Sequence, residues 1–264
     1  ETAFFYGPTT ITGEENFIYC ERGWYDTKNN ISSLKRNAYI IHGSQTMEGD
    51  SIYYDRNRSY GEAYENITMT DTIEDLLVMG HYAEFDQDTG YAFVTDSALA
   101  IMVDKYDSLF LHADTIRIQS DSTGQAETVY AYYKVKIFRP DLQGMCDSMT
   151  YFIPDSTVSL HKQPVMWSDE NQLSADTIKI VYANSEVDSM VLYNSAFIIS
   201  RDDTGTFNQI KGKTMVGYFK ENKINRITVS GNAQKIYFVR EEDSTLMGIN
   251  KAVASKINIK LEHT

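Results

Sequence analysis

The sequence predicts an all-β protein, a solenoid-like stack of strand–turn–strand units of roughly 30 residues each. Three observations carry this. The composition favours strands: 19 tyrosines stand among the 264 residues, with only 4 prolines, and Tyr, Thr, Ile and Val suit a half-buried pleated surface. Apolar residues alternate with polar ones at a period of two, as in Asp50–Asp55, where Ile52 and Tyr54 share one face and Ser51, Tyr53 and Asp55 the other. A short phrase also recurs. Asp50-Ser51-Ile52 returns as Asp114-Thr115-Ile116, Asp147-Ser148-Met149 and Asp176-Thr177-Ile178, and Leu111–Ile118 is nearly repeated at Leu173–Ile180.

Taken in order, Phe4-Phe5-Tyr6 is a strand that Gly7-Pro8 turns, and Thr9–Gly13 begins another. Asn16–Cys20 and Gly23–Asp26 are short aromatic strands, then Thr27–Asn30 turns the chain into a strand through Ala38–Ile41. Asp50–Asp55 is closed by the turn Arg56–Arg58. Strands Gly61–Met69 and Val78–Asp86 follow, joined by a polar connection near Asp71–Asp75 and ended by Gln87–Gly90. Tyr25-Asp26, Tyr54-Asp55 and Phe85-Asp86 close successive strands at spacings of 29 and 31 residues. Gln119–Glu127 and Ser200–Gly205 are expected loops, Thr204–Lys213 an insertion into the unit, and Thr72–Met79 a connection rather than a helix. Neither loop is long enough for a domain linker, so residues 1–264 are expected to form a single repetitive domain.

The formal net charge of −13 disfavours a nucleic-acid partner, which needs clustered Lys and Arg. It also disfavours docking on an anionic membrane, and no apolar run of about 18 residues could span a bilayer as a helix. Cys20 and Cys146 belong to no CxxC pair, so one disulfide and two buried thiols both stay open.

Gly49-Asp50-Ser51-Ile52 matches the nucleophile block of GDSL-type hydrolases, but no histidine follows an Asp by three residues. The phrase also recurs with Thr at 115 and 177, which a unique nucleophile would not do. The structural reading is preferred and no catalytic residue is assigned. Asp86–Gly90 holds part of a calcium-loop spacing without the distal Glu, and is read as turn chemistry. His42, His81, His112, His161 and His263 are scattered singly, which predicts no metal site. No phosphate loop or dinucleotide fingerprint is present, and no cofactor is implied.

What remains is an apolar strand face. Its candidate members are Ile52, Tyr54, Ile67, Met69, Phe85, Leu99, Ile101, Ile116, Ile118, Val165, Trp167, Ile236 and Phe238. Either these pack on one another as a closed core, giving a structural or adhesive solenoid, or two sheets stay apart and leave a groove for acyl chains.

The repeat resembles the OstA-like (organic solvent tolerance-like) family, related to periplasmic lipopolysaccharide-transport bridge proteins. The match rests on Tyr6–Ile11, Gly49–Asp55, Gly90-Tyr91-Ala92 with Thr95-Asp96, Ala113–Ile116, Ser230–Ala233 and Gly248–Lys251 with Ala254-Ser255. The resemblance implies an open, twisted β-jellyroll that is part of a longer periplasmic protein associated with the outer membrane. It further implies a non-enzymatic role shielding lipopolysaccharide or lipid A acyl chains in a trough. The implied partners are other jellyroll transport components, or the chain itself, joined through edge strands. The acidic groups would then have to stand on outer faces and turn tips.

Overall fold

The computed structural model describes residues 1–13, 16–73, 75–103, 108–168, 170–184, 186–203, 205–220, 223–241 and 243–260. All regular structure among them is strand, and every registered pairing is antiparallel. The all-β expectation is met. Two compact units result, Glu1–Arg139 and Pro140–Thr264.

The first unit holds β1 (Thr2–Phe5), β2 (Thr9–Thr12), β3 (Asn16–Cys20), β4 (Arg22–Asp26), β5 (Ile31–His42), β6 (Gln45–Asp55), β7 (Tyr60–Asp71), β8 (Leu76–Asp86), β9 (Tyr91–Val103), β10 (Ser108–Ser120) and β11 (Ala126–Arg139). Strands β1 and β2 pair with β4 and β3, both of which pair with β5, and β5 to β11 form a meander.

The repeated phrase has a structural cause. On alternate strands two consecutive non-glycine residues sit in the left-handed region: Arg36-Asn37 (φ 62 and 50), Glu65-Asn66 (φ 57 and 50) and Asp96-Ser97 (φ 63 and 63). Asn, Asp and Ser tolerate that region better than branched residues. The ladder register slips at the same points, between Lys35 and Ala38, Tyr64 and Ile67, and Ala113 and Thr115. Each long strand is thereby bent into two arms. The neighbouring strand brings Asp50 or Asp114 to the bend, where Asn66 Nδ2 donates to Asp50 at 2.9 Å and Lys134 Nζ meets Asp114 at 3.1 Å. Asp-Ser/Thr-Ile therefore encodes a corner: Asp partners the bend, Ser or Thr begins the second arm, and Ile points inward.

The roughly 30-residue spacing comes from the turns. Asp26, Asp55, Asp86 and Asp121 each accept a backbone N–H two residues on through Oδ1, at 2.7–3.0 Å. Successive turns are tied by Arg56 N–H to Asn30 O, Gln87 N–H to Ser59 O and Ser120 N–H to Gly90 O.

The second unit holds β12 (Leu142–Phe152), β13 (Thr157–His161), β14 (Val165–Ser168), β15 (Asn171–Ser174), β16 (Thr177–Ala183), β17 (Glu186–Asp203), β18 (Thr206–Lys220), β19 (Lys223–Arg240) and β20 (Leu246–Lys260). Here two bent strands are broken outright. Lys162-Gln163 (φ 60 and 57) and Pro164 separate β13 from β14, which pair with the two halves of β12. Likewise β15 and β16 pair with the two halves of β17. Strands β17 to β20 continue as a meander, and the left-handed pairs recur at Asn194-Ser195 and Gly231-Asn232.

Two expectations are corrected. Ser200–Asp203 is strand rather than loop, because β17 runs to Asp203, which registers with Thr206 of β18. Thr204–Lys213 is not an insertion: from Thr206 it belongs to β18, and Thr204 itself lies outside the described residues. The acidic turn composition disguised a strand end whose Asp202 is satisfied by Arg240 at 2.8 Å and Thr206 at 2.9 Å.

Candidate functional site

The bends give every arm a countable inner face. In the first unit the innermost row crosses seven strands by direct register: Leu34, Ile52, Ala63, Ala83, Val94, Ile116 and Ala131. All seven are at most 5% exposed. Across the bend the first row of the other arm is mostly small: Cys20, Ala38, Gly49, Ile67, Gly80, Ala98, Ala113 and Val135. Small residues let the two arms fold closely at the corner.

Two residues beyond these first rows, the character changes. One arm carries Ser32, Tyr54, Gly61, Phe85, Ala92, Ile118 and Val129 in register; all are half-buried except Gly61, which is buried. The other carries Ile18, Ile40, Met47, Met69, Val78, Ala100, Leu111 and Ile137, every one half-buried. Tyr54 and Phe85 stack at 6.0 Å. Gly61, the register partner of both, makes that possible, since a Cβ there would overlap the Phe85 ring. None of these row residues is acidic, so the carboxylates stand elsewhere, at outer positions, bends and turn tips.

In the second unit the innermost row is Met149, Leu160, Ile178, Leu192, Met215, Val229 and Ile257, large residues throughout. The next rows are also shut near their middle: Ile180, Met190, Gly217 and Ile227 on one arm, and Met166, Leu173 and Ile198 on the other, are buried. The cleft bounded by Leu173, Met190, Leu192, Ile198, Met215 and Ile227 measures only about 10 Å³. A larger hollow of about 720 Å³ is polar, lies among the bend residues Asp147, His161, Lys162, Gln163, Asp176 and Thr177, and is crossed by the 2.8 Å Lys162–Asp147 ion pair.

Seven predicted face residues come together on the inner rows: Ile52, Tyr54, Phe85, Ile116 and Ile118 on one arm, Ile67 and Met69 on the other. Six do not. Leu99 and Ile101 alternate with inward Ala98 and Ala100, pairing with outward Met79 and Leu77. Val165 and Trp167 flank inward Met166, and Trp167 donates to Gln172 at 3.0 Å. Ile236 and Phe238 share the outer parity, opposite Gln209 and Ile249. Side-chain size misled the reading at Leu99 and Ile101, where the inward Ala98 and Ala100 are the smaller residues; beside Ile236 the inward position is the charged Lys235. Met47, Val78, Ala92, Ala100, Leu111 and Ile137 were missed; counting outward from each Asn, Asp or Ser bend finds them.

The other motifs settle into structural roles. Thr115 Oγ1 lies 2.6 Å from Thr95 Oγ1, so the position equivalent to Ser51 serves cross-strand bonding. Asp86 Oδ1 accepts the N–H groups of Asp88 and Thr89 at 3.0 and 3.2 Å, a turn cap. His81 faces Glu65 at 3.3 Å, and His263 lies outside the described residues. Among the described residues no cluster of three His, Cys, Asp or Glu could hold a metal ion. Cys20 and Cys146 are both free and buried, and burial pushes the Cys146 thiol up to about 11. Many tyrosines occupy the outer face, where Glu62 accepts the hydroxyls of Tyr60 and Tyr64 at 2.6 and 2.5 Å and Arg117 stacks over Tyr91 at 4.6 Å.

Residues 105–187 match the family described as LptA/(LptD N-terminal domain) LPS transport protein, so the resemblance read from the repeat stands over that segment. Among solved structures the chain is similar to LptH, the LptA-homologous periplasmic component of the lipopolysaccharide transport device of Pseudomonas aeruginosa. Identity is 16%, over 51% of this chain and 87% of that one, with a TM-score of 0.38. No curated protein matches.

Proposed function

We propose that this chain is a non-enzymatic lipid-binding protein of the periplasm that shields lipopolysaccharide acyl chains from water during transport to the outer membrane. The observation that carries the reading is the pair of half-buried apolar rows on facing arms of bent strands, inside a chain whose segment 105–187 matches a lipopolysaccharide-transport family. Each methylene withdrawn from water contributes about 0.8 kcal/mol, so a loose groove without polar recognition suffices to hold a chain. The carboxylates are kept off these rows, which spares lipid phosphates the repulsion that a net charge of −13 would otherwise bring.

Free strand edges support assembly with like domains or a second copy. Strand β20 pairs with β19 alone among the registered strands, and it exposes Met247, Ile249 and Val253 by 60–67%. In the first unit, β1 exposes Phe4, and Tyr6 just after it is exposed as well.

Purifying the chain from cells that make lipopolysaccharide, then analysing the extract by lipid mass spectrometry, tests the proposal. Acylated glycolipid is expected in near-stoichiometric amount; a lipid-free protein that also fails to take up added lipid A would overturn it. A second reading, a structural or adhesive solenoid with a closed apolar core, is favoured by the buried middle of the inner rows of Pro140–Thr264.

A further inference from the structure

Resting on that lipid-binding reading, we infer that the acyl seat is confined to Glu1–Arg139, and that the interior of Pro140–Thr264 is a closed core that holds no chain. The two units share one bend grammar, so their inner rows can be compared position by position. In the first unit the second row from the bend is half-buried, not shut, on seven consecutive strands of one arm, from Ile40 to Ile137. The facing arm offers Ala92, Ile118 and Val129, also half-buried. In the second unit the equivalent positions Met166, Leu173 and Ile198 are 2–8% exposed, and Ile180, Met190 and Ile227 opposite them 4–8%. The space left there, about 10 Å³, equals roughly one water. The second unit's row is also interrupted by Lys235, whereas the first unit's stays apolar from Ile40 to Ile137.

The occupant follows from shape and chemistry. Seven strands at about 4.8 Å spacing make an apolar row about 29 Å long. A bilayer's hydrocarbon core is about 30 Å across two leaflets, so one acyl chain is roughly half that length. The row therefore has length for hydrocarbon chains laid across the strands. Apart from Ser32 and the Tyr54 hydroxyl it presents no polar side-chain group to a headgroup.

The test uses the intact chain and purified lipid A as probe. A benzophenone amino acid replaces Met69 or Ile118 in the first unit, and Tyr151 or Ile210 in the second, all four half-exposed inner positions. Photo-crosslinking to lipid A is expected at Met69 and Ile118 with at least about ten-fold the yield at Tyr151 and Ile210, a difference of about 1.4 kcal/mol in occupancy. Equal yields, or a preference for the second unit, would overturn the confinement while leaving lipid binding intact. Failure to crosslink anywhere, together with no lipid retained by the unsubstituted chain, would sink the lipid-binding reading itself. As a variant free of the crosslinker, Ala100→Phe should fill the seat and weaken lipid A binding, whereas Ile210→Phe should not; the reverse order would count against the inference.

Discussion

The innermost row of the first unit reads Leu, Ile, Ala, Ala, Val, Ile, Ala, and that of the second Met, Leu, Ile, Leu, Met, Val, Ile. Both lie two residues from the bend, on strands joined by antiparallel ladders, and they differ in side-chain volume. Where alanines alternate with larger residues, the next rows remain accessible; where every rung is large, the arms close on a filled core. One backbone repeat can thus serve as a trough or as a core, and the choice is made by a handful of inward positions.

The largest expected effect is on the closed side. Leu160→Ala removes a fully buried side chain from the second unit's row and should cost about 2–5 kcal/mol in a denaturant titration. Met69→Ala, at a half-exposed position of the first unit, should cost about 1 kcal/mol or less and show itself in lipid binding. Equal stability losses would erase the contrast between the units.

Overfilling the open side comes next. Gly61→Leu drives a side chain into the Phe85 ring and should destabilise by about 1–3 kcal/mol, with part recovered in Gly61→Leu/Phe85→Ala. Absence of coupling in that double-mutant cycle would mean Gly61 is not the space-maker for the Tyr54–Phe85 stack.

A bend prediction is of similar size. Ser97→Val places a β-branched residue in the left-handed region and should cost about 1–3 kcal/mol by thermal melting, while Ser97→Gly should be near neutral.

The smallest effect is the response to acid. The carboxyl of Asp121 is held low by Thr123, Asp147 by the Lys162 ion pair, Asp202 by Arg240 and Asp26 by the Lys28 N–H. A carboxyl depressed in the folded state contributes stability that is present above its unfolded value, about 3.9, and is lost as pH falls through the folded value. The melting temperature should therefore be flat near neutrality and fall below about pH 4. Asp147→Asn and Asp202→Asn should flatten that fall, and an unchanged profile would deny these turn and bend carboxylates their role.

How much of this was legible in the sequence depended on which level was read. The strand content and spacing were, because Asp-capped turns and period-two alternation are local. The corner was visible as Asp-Ser/Thr-Ile but not as a corner, since two adjacent left-handed residues such as Arg36-Asn37 carry no glycine to announce them. The inner face was legible where an apolar inward residue stands between polar neighbours, as at Ile52 and Ile118. It was lost at Ala98 and Ala100, where the inward side chains are small and the outward Leu99 and Ile101 are large and apolar.

The central claim is that half-exposed apolar rows of Glu1–Arg139 hold acyl chains. Native mass spectrometry of the intact chain with lipid A, run beside a Met69→Asp/Ile118→Asp variant, tests it most directly. The account predicts a discrete lipid adduct on the unsubstituted chain, largely lost in the variant while its melting temperature stays within a few degrees. No adduct on the unsubstituted chain, or an undiminished one on the variant, would contradict it.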